Sequence, residues 1–431
     1  MNSIWKSTEE LPRFPALKKN LKTEVLIIGG GMAGILTAYR LHQEGIPYIL
    51  VEKGRIGGGV TENTTAKITV QHGLIYQKLV KNAGVDGARM YLDANQRAFD
   101  RFDELCRKVD CDYQRKDHFV YSVNSREKIK KELEALQKIG YQADFCKRLP
   151  LPFQVAGAVK FPDQAQFHPL KFLSFVAKGL HIYENTFVRE MVGTVAKTDH
   201  AAIQAEKVIV TTHFPFLNKH GSYFLKLYQH RSYVLALEGG PEVGGMYVDE
   251  SNTGLSFRNY RNFLLLGGGG HRTGAAGGNW AELRHFAKLH YPGVKERFFW
   301  ATQDCMSLDG IPYIGQYSKN TLNLFVASGF NKWGMTGAMT ASMVLGDLVR
   351  GQKNEFARIF DPSRSILKPQ LAVNGFESVK NLLTVSQKRC PHLGCALKWN
   401  AAEHTWDCPC HGSRFSKDGK LLDNPANGDL K

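Results

Sequence analysis

The sequence predicts an α/β chain: a Rossmann-like, doubly wound domain with an inserted α+β domain, then a small C-terminal β module. Three observations lead there. Near the N-terminus an apolar, β-branched run, Thr23 to Ile28, enters Gly29-Gly30-Gly31-Met32-Ala33-Gly34, followed by a helical pattern and a second apolar run closed by Glu52. Through the middle, strand-like and helical stretches alternate. Near the C-terminus two Gly/Pro loops each carry a cysteine and a histidine two or three residues apart. A chain of 431 residues has room for about three domains.

The N-terminal element is a dinucleotide fingerprint. Gly29 permits the tight turn, Gly31 lets a pyrophosphate approach the backbone, and Gly34 lets helix and strand pack closely. The helix N-terminus faces the phosphates, and Glu52 stands at the offset of about 20 residues from which an acid bonds ribose hydroxyls.

Three later segments choose the dinucleotide, by resemblance. Arg55 to Lys67, with Thr61, Thr65 and Ala66, resembles the loop that passes the flavin in the glycine/D-amino-acid oxidase-like (DAO) family. Val208-Ile-Val-Thr-Thr212-His213 resembles that family's second dinucleotide-proximal strand, and Val188 falls in the same cofactor-binding segment. Asp309-Gly310-Ile-Pro312, then Trp333-Gly334-Met335-Thr336, resembles its C-terminal FAD segment, where a helix N-terminus points at the flavin pyrimidine. The resemblance implies FAD, bound by segments 20–85, 165–220 and 300–360, with a substrate domain of 86–164 and 221–299 whose sheet roofs the flavin.

In that middle region Ala88–Leu105 and Ser125–Ile139 have helical character, while His118–Val123, Arg231–Leu237 and Asn262–Leu266 read as strands. The run Gly267–Gly270 reads as a flexible turn or a ligand-contacting loop. Asp361–Pro369 reads as the start of a linker, and Asn374–Leu383 as a helix.

The C-terminal loops read Cys390-Pro-His392-Leu-Gly-Cys395 and Cys408-Pro-Cys410-His411-Gly-Ser413. A Cys2His2 zinc site uses the same ligand types, but its usual spacing pairs Cys with Cys and His with His. Here the two alternate, and the loops resemble Rieske proteins. That resemblance puts Cys390 and Cys408 on one iron of a [2Fe–2S] cluster and His392 and His411 on the other. It also implies a Cys395–Cys410 disulfide and a proline loop at Asp423–Gly428 covering the cluster. Ser413 keeps the hydroxyl that donates to a cluster sulfur, whereas Phe415 stands where respiratory Rieske proteins carry a tyrosine, which predicts a lower potential. Trp399, Trp406 and Phe415 are expected in the core of a module spanning 367–431, too small to be stable alone and so expected to pack on the flavin domain. Cys106, Cys111, Cys146 and Cys305 lack framework spacing and read as thiols in a reducing cytoplasm.

Substrate residues are harder to read. Amino-acid oxidases of the DAO family hold the substrate carboxylate with an arginine in a Trp-x-Gly-x-Arg-Pro segment; here Trp300-Ala-Thr-Gln303-Asp304 places Asp304 there. An aspartate repels a carboxylate and attracts a cation, leaving amines or a neutral alcohol; a structural carboxylate is the equal alternative. Lys67 is taken with Asp304 as a catalytic candidate near the flavin, or as a phosphate or backbone contact. His168, Arg231, Arg258, His271 and Arg272 are further pocket candidates.

A formal charge of +16 fits nucleic acid, an acidic membrane face or an acidic redox partner. Basic residues are dispersed, so nucleic acid is disfavoured and an acidic ferredoxin- or flavodoxin-like partner preferred. No secretory signal and no spanning segment is visible. The functional expectation is an FAD-dependent enzyme coupling two-electron chemistry on a small molecule to one-electron transfer; a redox sensor or shuttle without substrate is the alternative.

Overall fold

The computed structural model describes residues 2–218, 220–251 and 254–430. Its first sheet runs Tyr313–Gln316, Leu324–Ser328, Ala202–Val210, Leu21–Ile28, Tyr48–Val51 and Ile182–Tyr183, with Val188–Val192 and Val195–Thr198 extending one side. Leu21–Ile28 pairs in parallel with a strand on each flank. Its Val25 to Ile27 are fully buried, as a parallel strand covered on both faces requires. Helices Met32–Gln43 and Gly334–Val349 pack together over this sheet. The second of them buries Met335, Ala338, Ala341, Val344 and Leu345, apolar on nearly every side because it is covered on nearly every side.

A second, mostly antiparallel sheet follows the order Lys295–Ser307, Leu227–Glu238, Phe263–Arg272, Ser256–Tyr260, Met246–Asp249, Gln114–Ser122, Gly157–Gln166 and Lys67–Ile68. The helix expected at Ala88–Leu105 begins earlier, at Tyr76, and is interrupted at Gly84 (φ +74°) before running to Cys106. Ser125 caps helix Arg126–Lys138 through its hydroxyl, which accepts from the Lys128 amide at 3.3 Å.

The glycine run is not a free turn: Gly267–Gly270 continues strand Phe263–Arg272, and Gly267, Gly268 and Gly270 border a cavity. Helix Asn279–His290 starts against the run, and a Cβ on Gly269 (φ +59°) would lie 2.3 Å from the Asn279 carbonyl oxygen. Glycine is there because a backbone crosses at contact distance.

Asp361–Pro369 is irregular but anchored. Arg364 bonds the Asp309 carboxylate through two nitrogens, at 2.8 Å each, and the carbonyl of Pro312 at 3.2 Å. Helix Pro369–Leu383 follows, then a four-stranded antiparallel sheet of Lys398–Asn400, Thr405–Asp407, Arg414–Ser416 and Leu421–Asp423. Phe415 is buried in this module with Cys390 and Cys408, but Trp399 is 41% exposed and lies outside the core. Among the described residues, no helix is long and apolar enough to cross a membrane.

Replacing Gly269 by alanine forces a left-handed residue against backbone and should cost about 1–3 kcal/mol of stability. A lowered thermal unfolding midpoint is the expected result; an unchanged midpoint would contradict the packing described.

Candidate functional site

The fingerprint loop has the form a pyrophosphate needs. A Cβ on Gly34 would sit 1.9 Å from the Gly29 carbonyl, and one on Gly29 (φ +114°) 2.6 Å from the Thr211 carbonyl. Gly31, in contrast, meets only the Thr61 hydroxyl at 3.5 Å, so its outer side is open for a ligand. The Thr61 hydroxyl also accepts from the Met32 amide at 3.1 Å, tying the downstream loop to the helix N-terminus. Glu52 accepts from the Gly30 and Gly54 amides at 2.7 and 3.0 Å, so its carboxylate braces the loop. Val188 is buried in the same layer, and Thr212 donates to the Phe214 carbonyl at 3.0 Å.

Across the cavity, helix Gly334–Val349 begins without a side-chain cap, leaving its first amides for a ligand. Met335 and Thr336 are buried in its first turn. Trp333, just before it, stacks on His72 (ring centroids 5.3 Å apart) and meets His118 edge-on. His72 is fixed by Thr336 at 2.9 Å and by the Tyr91 hydroxyl at 2.7 Å. Asp309 and Gly310 (φ +82°) border this cavity, with the Asp309 carboxylate committed to Arg364.

The cavity has a volume of about 510 Å³, and its lining includes Thr65, Lys67, His213, Asp304 and Lys332. Burial, opposed by Lys332, His213 and Arg231, raises the Asp304 carboxyl above its ordinary value. Burial and the neighbouring Arg258 push the Lys67 ammonium down to about 7, and its Nζ donates to the Thr65 hydroxyl at 3.0 Å. Arg258 is itself buried and donates to the carbonyl of Ala66 (φ +52°) at 3.3 Å, while its Nε and Nη2 have no partner among the described residues. Of the other candidates, His168 caps helix Pro169–Val176, and His271 bonds the Tyr233 hydroxyl at 3.0 Å. Both are structural.

The two C-terminal loops are built alike. In one the Cys390 amide donates to the Cys395 carbonyl and Gly394 (φ +78°) to the Cys390 carbonyl; in the other Cys408 donates to Ser413 and Gly412 (φ +81°) to Cys408, all at 2.9 Å. Equivalent turns therefore present Cys390 and His392 opposite Cys408 and His411. Cys395 and Cys410 form a disulfide that joins the loops. The imidazole centroids are 4.9 Å apart, and Nδ1 of each is buried without a partner among the described residues. The paired loops thus carry two thiols in contact with one another and two neighbouring imidazoles, each with an unsatisfied nitrogen. This is the donor set of a cluster with mixed ligation. The Ser413 hydroxyl accepts from the Ala426 amide at 2.9 Å, which holds the loop of Pro425 over the site.

Residues 24–348 match the family of FAD-dependent oxidoreductases (DAO), and residues 351–431 match the Rieske [2Fe–2S] domain. The chain belongs to the DAO family of FAD-dependent oxidoreductases and carries a C-terminal Rieske domain. A putative Rieske 2Fe–2S iron–sulfur protein of Bacillus subtilis is 36% identical over all of this chain and 97% of its own length. Gamma-glutamylputrescine oxidoreductase of Escherichia coli is 23% identical over 81% of this chain and 89% of its own. The crystal structure of glycine oxidase from Geobacillus kaustophilus superimposes with a TM-score of 0.67 at 19% identity, covering 80% of this chain and 99% of that one. The protein is an oxidoreductase that binds FAD and a [2Fe–2S] cluster.

The Rieske module is docked on both other layers. Glu403, fully buried, receives Arg231, Arg414 at 2.7 Å and the Tyr233 hydroxyl at 3.0 Å. Arg272 donates to the Pro409 carbonyl at 3.3 Å, and Gln303 to the Gly412 carbonyl at 2.8 Å. Arg231 and Arg272 are thus docking residues, although sequence reading placed them in a pocket. Gln303 and Asp304 are adjacent on one strand; the first reaches the cluster loop and the second borders the FAD-domain cavity, as strand alternation dictates.

Four consecutive residues, Thr211 to Phe214, connect the two centres. Thr211 closes on Gly29, the Thr212 carbonyl accepts from Asn424 at 2.8 Å, His213 borders the cavity, and Phe214 lies 6.5 and 6.1 Å from the rings of His392 and His411. His392 also bonds the Asn218 side chain at 3.0 Å through Nε2. The imidazoles thus face the FAD domain. The sequence places His213 at the end of the dinucleotide-proximal segment but gives it no role; its place just beyond the carboxyl end of strand Ala202–Val210 is the available signal.

Phe415 lies buried beside Cys390 and Cys408 with no hydroxyl to offer their sulfurs. Phe415→Tyr should raise the cluster potential by roughly 50–100 mV, equivalent to about 1–2 kcal/mol for one electron. Redox titration followed by EPR would show it; no upward shift would remove the argument.

Proposed function

We propose that this protein oxidises a small cationic amine at FAD and passes the electrons one at a time through the Rieske cluster to an acidic ferredoxin- or flavodoxin-like carrier. The observation that carries this reading is the segment Thr211–Phe214, which touches the fingerprint at one end and both cluster imidazoles at the other. Bound FAD supplies the two-electron acceptor, and the cluster a one-electron relay.

The chain's own residues have distinct tasks. Asp304 gives the cavity a buried acid where the family's amino-acid oxidases hold a carboxylate, so it selects for an ammonium. Lys67, neutral above about pH 7, takes the proton of the amine at Nζ, because only the free amine has the electron pair that oxidation needs. Tyr233 and the strand behind it, locked by Glu403, close the cavity from the cluster side. An amine is also the class of compound named for the Escherichia coli relative. A net charge of +16 suits an acidic carrier, and the unpaired thiols of Cys106, Cys111, Cys146 and Cys305 suit the cytoplasm. We assign 20–366 to the FAD-dependent oxidoreductase and 367–431 to the Rieske module.

Anaerobic titration with a panel of amines and amino acids, followed by flavin absorbance and cluster EPR, tests the proposal. A cationic amine should bleach the flavin and reduce the cluster; reaction with simple amino acids alone would overturn it. Asp304→Asn should lower kcat/KM for the amine by about 10²-fold at unchanged flavin content. For the wild type, kcat/KM should rise through about pH 7 as Lys67 loses its proton, and Lys67→Met should abolish that limb. A rise that survives the substitution would exclude Lys67 as the proton acceptor.

A further inference from the structure

Helix Pro369–Leu383 is packed inside out. Its two buried residues are both asparagines: Asn374 accepts from Arg272 at 2.9 Å and donates to the Leu225 carbonyl at 3.3 Å, while the Asn381 carbonyl accepts from the Ala396 amide at 2.9 Å. The apolar residues point the other way. Phe376 is 67% exposed and Leu383 78% exposed, with Val373 and Val379 beside them at helical spacing. Leu367 before the helix (82%), Val385 after it (97%) and Leu393 on the loop of His392 extend the same exposed apolar set. Isolated exposed apolar residues are ordinary; with Leu382, eight along one helix and its flanks mark a surface built to be covered.

Charge identifies the cover. Between Leu367 and Leu393 the charged residues are Lys368, Lys380, Lys388 and Arg389 against a single acid, Glu377, which is drawn into a hydrogen bond with Asn381 at 3.3 Å. Self-association would set this basic rim against its own copy in a protein already at +16. An acidic soluble carrier would satisfy the cations and leave Phe376, Leu383 and Val385 wet. An anionic lipid surface satisfies both, because headgroups meet the cations while the apolar face enters the acyl boundary.

We propose that helix Pro369–Leu383 and its flanks seat the protein on an anionic membrane, lying in the interface and not crossing it. The helix also carries the cluster loop: the Arg389 guanidinium donates to the carbonyls of Leu382, Thr384 and Gly394 at 3.2, 2.9 and 2.8 Å. Seating the helix therefore brings the loop of His392 and Leu393 to the lipid surface. The inference is independent of the substrate assigned above, since it needs no turnover to test.

The test is co-sedimentation of the holoprotein with vesicles of phosphatidylcholine, with and without phosphatidylglycerol. Wild type should pellet with the anionic vesicles, less so as salt rises, and should stay in the supernatant when the vesicles are neutral. The double variant Phe376→Ser, Leu383→Ser should lose at least about tenfold of that partitioning. Lys380→Gln with Lys388→Gln should lose roughly tenfold and most of the salt dependence. All four positions are solvent-exposed, so flavin content should be unchanged, with at most a slight lowering of the unfolding midpoint where Lys388 leaves the Trp406 ring, 4.7 Å from its ammonium. Absence of vesicle binding, equal binding to neutral vesicles, or full binding by the serine variant would overturn the proposal. So would a concentration-dependent dimer that the serine substitutions abolish.

Discussion

The carboxylate of Glu403 is the point on which this architecture turns. It belongs to the Rieske module, is fully out of water, and is surrounded by Arg231 and Tyr233 of the substrate-domain sheet and by Arg414 of its own module. A buried charge of this kind is tolerable only while its partners are present; breaking a buried ion pair by removing a partner costs about 3–5 kcal/mol. Lifting the module off the sheet would strip Arg231 and Tyr233 away together. The module is therefore held in place, and the cluster keeps one position relative to the flavin cavity.

That constraint gives the neighbouring contacts their meaning. With the module seated, Gln303 reaches the Gly412 carbonyl, Asn424 reaches the Thr212 carbonyl, and Phe214 lies between the cavity segment and both imidazoles. Alternation along strand Lys295–Ser307 turns Gln303 to the cluster loop and the adjacent Asp304 to the cavity. Helix Pro369–Leu383, with its apolar side exposed and basic residues in its flanks, lies on the outside of this assembly and is bound to it by polar contacts.

Much of the site was legible in the sequence because short-range chemistry dictates it. The glycine fingerprint is readable because backbone approach excludes any side chain at Gly29 and Gly34. The cluster loops are readable because ligand types, turn glycines and spacing occur together, and the disulfide pair follows from the resemblance. What escaped depends on long-range packing. Gly267–Gly270 looks like a turn until a helix from Asn279 is laid across it. Arg231 and Arg272 look like pocket residues until the C-terminal module covers them. The helix at Asn374–Leu383 was visible as a helix, but which face it buries is set by Arg272 and the Leu225 carbonyl, neither of which is near it in sequence.

The proposed function requires flavin and cluster to exchange electrons within one molecule. Anaerobic photoreduction of the flavin, with the cluster followed by freeze-quench EPR across a range of protein concentrations, tests it most directly. With intramolecular transfer, the reduced-cluster signal grows at a rate independent of concentration. A rate proportional to protein concentration, or a cluster that stays oxidised beside a reduced flavin, would contradict it.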